Sequence, residues 1–272
     1  MLATVAVAVA LFTATLAAAE LREATSRAFD TYVTAAEARS ATPFLWLDTR
    51  PAAERQRLLA ALKNGELVIE RLRVRPGGRE LEVPDGMIHH WLGTVFIPNA
   101  TAADAVKLLQ DYDRHAAIYA PTVARSRLLS HSVSRAPGAP GDEFRFSLRF
   151  VMTKVITVVV DGEHHARFAW FGHGRARSWI RSTRLAEVTG AGTSAERQEP
   201  EGKGGGYLWR LNSYWRFEDR DGGVYLECES VSLTRDIPFG LGWIVGPFVT
   251  SLPRESLEFT LQTTRKKLMI GA

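Results

Sequence analysis

The middle of this chain is a succession of strand-like segments with no helical segment between them. The stretch 142–160 opens with strict alternation, in which Phe144, Phe146 and Phe150 share one face and Arg149 lies on the other. Further strand-like segments follow as far as residue 235. Because parallel strands need long crossover connections, usually helices, this order predicts a single antiparallel sheet.

Helical patterns precede and follow the strands. Thr101 stands before an apolar-periodic segment and Asp104 follows three residues later, which is the pattern of a capping box. Near the end of the chain, Leu257, Leu261 and Leu268 recur at helical spacing, and we expect them to face the sheet. Helices segregated from an antiparallel sheet indicate the α+β class.

The region ahead of the strands reads as a separate helical extension. Pro51 suits the first turn of a helix that Asn64-Gly65 ends, and a short strand-like segment follows. We therefore expect an N-terminal helical extension over residues 20–85 and a main domain over residues 86–270.

Two connections stand out within the strand region. Asp161-Gly162 is a strong hairpin signal, because both residues tolerate the backbone angles of a tight turn. The run 190–206 is polar and rich in glycine, which predicts a mobile loop between two strands.

The chain starts with an apolar segment, MLATVAVAVALFTATLAAAE, that has no charged side chain before Glu20. Its Ala17-Ala18-Ala19 ending fits a secretory cleavage site, so residues 1–19 are expected to be a signal peptide. The folded part is then exported, to the periplasm or outside the cell. The alternative is an uncleaved N-terminal membrane anchor.

Composition narrows the function classes. The chain has 272 residues and a net charge of +4, but no dense block of Lys and Arg, so nucleic acid is not an expected partner. Its single cysteine, Cys228, excludes an internal disulfide and a cysteine-based zinc site, and we interpret it as a core residue. No nucleotide-binding or hydrolase motif occurs, and no cofactor, metal site or catalytic residue is predicted.

Three stretches together carry a resemblance to a known superfamily. They are LLQDYDRHAAIYAPTVARSRLL, the strand segment WIRSTRLAEV, and GLGWIVGPFVTSLPRES before the last helix. The chain resembles the START-like, or helix-grip, superfamily (SRPBCC) over residues 86–270. That superfamily includes lipid transfer domains, polyketide cyclases and coenzyme-Q-binding proteins. The resemblance implies a curved antiparallel sheet wrapped around a long C-terminal helix, with a cavity between them.

The apolar run before the last helix fits this picture. Gly and Pro interrupt it, and it is shorter than the roughly 20 apolar residues that a membrane span requires. The resemblance implies that this run covers the cavity. A surface lipid hook is the other interpretation, and it would bring the protein into peripheral contact with a membrane.

Aromatic and arginine side chains are the candidates for ligand binding. Tryptophans and phenylalanines near the closing helix could line a cavity, and an inward arginine would suit a ligand with one polar head. The candidate set is Phe146, Arg149, Trp170, Arg177, Trp179, Arg181, Trp215, Phe239, Trp243 and Phe248. Core packing of the aromatics and solvated, outward arginines are the alternatives.

Histidines occur in two adjacent pairs, His89-His90 and His164-His165. Neighbouring residues of a strand point to opposite faces, so neither pair can chelate a metal. We expect these histidines to be exposed or half-buried.

The leading functional hypothesis is an exported, non-enzymatic protein that holds a hydrophobic or amphipathic small molecule, such as a lipid, quinone or polyketide. This hypothesis rests on the implied cavity and on the absence of a catalytic motif from the sequence. One alternative is an enzyme of the polyketide cyclase/aromatase type. Another is an interaction module whose cavity is filled by its own side chains.

Overall fold

The computed structural model describes residues 19–39, 43–134, 141–154, 156–237 and 242–271; within the last helix, side chains are described at positions 246 and 251–270. The described helices are α1 (Glu23–Ala38), α2 (Ala52–Lys63), α3 (Ala102–Gln110), α4 (His115–Ile118) and α5 (Gly242–Gly271). The described strands are β1 (Ala19–Glu20), β2 (Val68–Arg71), β3 (Gly86–Pro98), β4 (Val123–Ser134), β5 (Gly141–Thr153), β6 (Thr157–Trp170), β7 (Arg175–Thr189), β8 (Arg197–Gln198), β9 (Lys203–Gly204), β10 (Arg210–Arg220) and β11 (Gly223–Arg235).

Nine of these strands form one antiparallel sheet. Its order is β2-β3-β11-β10-β7-β6-β5-β4, with β8 paired to the end of β7. The predicted α+β class and the helix-grip arrangement of a curved sheet around a C-terminal helix are confirmed. We call the face that α5 covers the inner face and the opposite one the outer face.

Helix α5 lies across β3 and β11. Leu257, Leu261 and Leu268 are buried against the inner face, as their spacing predicts. Gly93 on β3 makes this close approach possible, because a Cβ at that position would overlap Cδ1 of Leu261. The inner face and α5 therefore form the main core.

Local signals near α3 are accurate, but one hairpin signal is wrong. The side chain of Thr101 accepts a hydrogen bond from the Asp104 amide at 3.1 Å, and the reciprocal bond completes the capping box. Asp161-Gly162, in contrast, lies inside β6. Gly162 is needed there for space, since a Cβ would come within 2.6 Å of His164 Nε2.

The glycine-rich run 190–206 is fastened to the sheet, contrary to the mobile loop expected. It contains β8 and β9, and β9 pairs with β1. Glu196 accepts a hydrogen bond from Arg149 Nη1 at 2.8 Å, and Gln198 donates to Asp161 at 2.6 Å. Charged groups on the outer face thus provide fixed partners for this polar loop. The composition of the loop does not reveal these partners.

The N-terminal extension covers the outer face and also joins the sheet. Strand β2 pairs with the edge of β3, and α1 buries Phe29, Tyr32 and Val33 against outward side chains of β10 and β11. Among the described helices, none combines the length and the apolar character needed to cross a membrane.

A buried ionic network fastens this extension. Arg216 Nη2 donates to Glu229 at 2.9 Å, and Arg39 from the end of α1 donates to the same carboxylate at 3.1 Å. Glu227 accepts the backbone amides of Trp46 and Leu47 at 2.7 and 3.0 Å. This network accounts for charged residues on β10 and β11, whose two faces are otherwise buried.

Candidate functional site: the cavity under the closing helix

A cavity of about 210 Å³ lies between the inner face of the sheet and α5. This is far larger than the roughly 15 Å³ that one water molecule requires. The floor of the cavity comes from β10 and β11, and one wall comes from β5, β6 and β7. Its roof includes Leu252, Ser256 and Thr260 of α5. The cavity lies in the part of the protein where the resemblance implies one.

Small side chains on β11 create much of this space. Cys228, Ser230, Ser232 and Thr234 alternate along the strand and all line the cavity. The residues between them face the outer side, where they are buried under the extension. Because the inward positions carry few atoms, α5 cannot fill the volume above them.

Sequence reasoning missed these residues, although a signal exists. Every second position of 228–234 is small or hydroxyl-bearing, whereas the intervening positions are acidic or large and apolar. Such a pattern normally indicates a strand with its small polar residues in solvent. Only the pairing with β3 and β10 under α5 shows that the small residues face inward.

Aromatic rings form the opposite wall. Phe146 stacks with Tyr112 at 3.9 Å between ring centroids and with His164 at 5.1 Å. Among the described residues, Tyr112 Oη and His164 Nε2 have no hydrogen-bond partner, although both residues line the cavity and are buried. Buried polar atoms usually have partners, so this wall retains unused hydrogen-bonding capacity.

Burial keeps the titratable groups of the cavity neutral. It lowers the pKa of His164 and of His115 to about 4, because the charged imidazolium would lose its hydration. It raises the pKa of Tyr119 to about 12 and raises that of Cys228 above its usual range. Cys228 is buried, as predicted, and an unreactive thiol is expected at neutral pH.

Two of the sequence-predicted site residues, Phe146 and Trp215, line the cavity. Phe239 lies outside the described residues, as do the side chains of Trp243 and Phe248. Their part in ligand binding stays a prediction.

Arg149 and Arg181 lie on the outer face, because they alternate with the residues that face α5. Arg149 is buried there in a bidentate pair with Asp161, at 2.6 and 2.7 Å. Arg181 is exposed and pairs with Glu37 at 2.6 Å. Neither arginine reaches the cavity, so the expected inward arginine is absent from these positions.

Arg177 and Trp179 belong to an aromatic and arginine cluster on the outer side of the sheet, whereas Trp170 pairs with Ala176 at the end of β6, on the inner side. Arg177 lies 4.7 Å from the centroid of the Phe44 ring, and Trp179 packs near Phe171 at 6.3 Å. Trp170 is 47% exposed. None of these three residues lines the cavity, so the alternating pattern did not show which side of the sheet the closing helix covers.

The histidines differ from expectation. His89 and His90 point to opposite faces, as predicted, but both are buried, and so is His164. His89 bonds Thr234 on the inner face, whereas His90 bonds Glu229 on the outer face. No group of three potential metal ligands occurs among the residues that the structure describes.

No protein-family model and no curated protein matches the sequence. Among solved structures, a STAR-related lipid transfer protein from Xanthomonas axonopodis is 19% identical, with a TM-score of 0.44 over 74% of this chain and 98% of that one. A START superfamily protein from Mycobacterium smegmatis is 11% identical, with a TM-score of 0.40 over 69% and 99%. An aromatase/cyclase from Streptomyces sp. R1128 is 11% identical, with a TM-score of 0.41 over 67% and 94%. Since these TM-scores lie below 0.5, we assign the fold from its strand order and closing helix.

Proposed function

We propose that this protein binds a hydrophobic or amphipathic small molecule in the cavity under α5. One observation carries the proposal: a cavity of about 210 Å³ lies over the small inward side chains of β11 and is lined elsewhere mainly by aromatic and aliphatic groups. Empty apolar cavities of this size destabilise a fold, so a protein that builds one from small residues has a use for the space. Lipids, quinones and polyketides are the candidate classes of ligand.

The proposal extends to location. The apolar segment 1–19 supports export to the periplasm or the exterior, where the protein would carry its ligand in solution or collect it by peripheral contact with a membrane. Fractionation of cells that express the full chain tests this, with N-terminal sequencing of the exported form. A chain that stays in the cytoplasm with Met1 retained would contradict it.

Native mass spectrometry of the purified chain tests ligand binding directly. We expect a non-covalent adduct that is released by organic extraction, and saturable binding of the neutral fluorescent probe N-phenyl-1-naphthylamine. Ser230→Leu should abolish both, because the larger side chain occupies the cavity. The matched control is Ser132→Leu, an exposed position on β4, which should leave both unchanged.

A specific result would overturn the proposal. It fails if the wild-type chain carries no adduct and does not bind the probe. It also fails if Ser230→Leu remains folded and binds the probe as the wild type does, since the ligand then lies elsewhere.

A further inference from the structure

The described residues that line the cavity carry no charge at neutral pH. No Lys, Arg, Asp or Glu occurs among the described residues that line it. Its two lining histidines are neutral, since burial holds the pKa of each at about 4. The sequence from residue 237 to residue 253, which leads into and begins α5, also contains no charged residue. A ligand inside the cavity therefore meets no counter-ion on the described lining or on residues 237–253.

Three serines form a polar patch on the floor. Ser213 on β10 lies directly opposite Ser230 on β11, and Ser232 follows two residues further along the same face. Ser232 is only 5% exposed. The hydroxyl groups of these serines make no hydrogen bond to any described part of the protein. These hydroxyl groups face the cavity, so a ligand that fills it can supply the hydrogen-bond partner that the described residues do not.

The wall across from the patch is apolar and aromatic. Phe146, Leu148 and Phe150 line it from β5, and Phe259 lines it from α5. The cavity therefore has two chemically different sides. One is formed mainly by rings and aliphatic groups, with Tyr112 Oη and His164 Nε2 as polar atoms that have no partner among the described residues, and the other carries the serine hydroxyls. A molecule that fits both has an apolar body with a polar group on one side.

We propose that the buried part of the ligand is uncharged and carries a hydroxyl or carbonyl group that hydrogen-bonds the patch formed by Ser213, Ser230 and Ser232. This inference rests on the proposed function and specifies its class of ligand. A hydroxyl or carbonyl satisfies the serines at little desolvation cost. A carboxylate, phosphate or ammonium group would lose its hydration without gaining an opposite charge.

Three compounds of one shape test the inference: naphthalene, 2-naphthol and 2-naphthoate. Their affinities for the purified full chain are measured by calorimetry at neutral pH, where only 2-naphthoate is charged. We expect 2-naphthol to bind about fivefold more tightly than naphthalene, which corresponds to one typical hydrogen bond. The naphthoate should bind more weakly than both neutral compounds.

Alanine variants identify the groups that recognise the hydroxyl. Ser230→Ala and Ser232→Ala together should reduce the affinity for 2-naphthol to that for naphthalene, while leaving naphthalene binding unchanged. Ser132→Ala is the matched surface control and should alter neither affinity.

The outcomes separate the two proposals. The inference is overturned if 2-naphthoate binds as tightly as 2-naphthol, or if the serine variants weaken both neutral compounds equally. If neither these compounds nor N-phenyl-1-naphthylamine binds the wild-type chain, the proposed function fails and the inference fails with it.

Discussion

Glu227 and Glu229 lie two residues apart on the outer face of β11, and their pKa values are shifted in opposite directions. Burial raises the pKa of Glu227 to about 7, because Arg216 is 3.7 Å away and compensates only in part. Burial would also raise that of Glu229, but the hydrogen bond from His90 and the charge of Arg216 lower it to about 2. Beside the same arginine, Glu227 therefore has a pKa near neutral pH, whereas Glu229 stays ionised.

Glu227→Gln should therefore remove a pH dependence of stability. A carboxyl whose folded pKa exceeds its unfolded value of 4.5 favours folding most below pH 4.5, and this contribution is lost as the pH rises to 7. We expect the free energy of unfolding of the wild type, relative to the variant, to fall by about 3 kcal/mol over that window. Urea titrations at a series of pH values measure it. For Glu229→Gln the loss of stability relative to the wild type should instead be constant above pH 4.5 and shrink as the pH falls from 4.5 to about 2. Identical profiles for both variants would contradict the assignment.

His164 should act with the opposite sign in nearly the same range. Its folded pKa of about 4 lies below the unfolded value of 6.5, so only the unfolded chain gains a proton between these values. Stability should then fall as the pH is lowered from 6.5 to 4, by about 3 kcal/mol for this residue. For His164→Gln, the slope of the free energy of unfolding against pH should be smaller than in the wild type by the equivalent of about one bound proton. An unchanged slope would mean that the ring is accessible to water.

The pair formed by Arg149 and Asp161 should stabilise the outer face. Asp161→Asn leaves the buried guanidinium with a weaker partner, and we expect a loss of about 1–3 kcal/mol in the free energy of unfolding. Arg125 offers a matched control, since it contacts Glu196 at 3.1 Å but is 65% exposed. Arg125→Ala should change stability little, as exposed ion pairs contribute little. Equal losses for the two variants would show that the Arg149 pair is effectively solvated.

Gly93 should set the distance between the sheet and α5. Gly93→Ala places a methyl group against Leu261, and we expect overpacking to cost about 1–3 kcal/mol. Leu261→Ala alone should destabilise by about 2–5 kcal/mol through the cavity that it leaves. The double variant should lose less than the sum of the two, since one change makes room for the other. Strict additivity in thermal or urea unfolding would show that the two residues do not touch.

Local and periodic signals predicted the fold well because they depend on near neighbours. The capping box at Thr101 and the buried leucines of α5 need only helical spacing. The hairpin signal at Asp161-Gly162 failed because each residue serves a partner on a neighbouring strand: Asp161 binds Arg149 on β5, and Gly162 makes room for Leu185 on β7. Such tertiary uses of turn residues leave no local trace.

The candidate site was harder to predict, because alternation separates two faces without saying which one is covered. Arg177, Trp179 and Arg181 do share a face, but that face is the outer one. Phe146 and Trp215 line the cavity, whereas the serines that shape it resemble ordinary solvent-facing residues in the sequence. Face assignment depends on where α5 and the N-terminal extension pack, and that is set by contacts across the whole chain.

The pairing of β3 with β11 has a consequence for the order of events during synthesis. Met87 pairs with Thr234, and Gly93 packs against Leu261. Until almost the whole chain has been made, β3 therefore has only the short strand β2 beside it and no covering helix. Such long-range contacts slow folding and leave apolar strands exposed meanwhile. This edge of the sheet therefore stays unfinished until translation is nearly complete, and a chaperone can bind the exposed strand in the meantime.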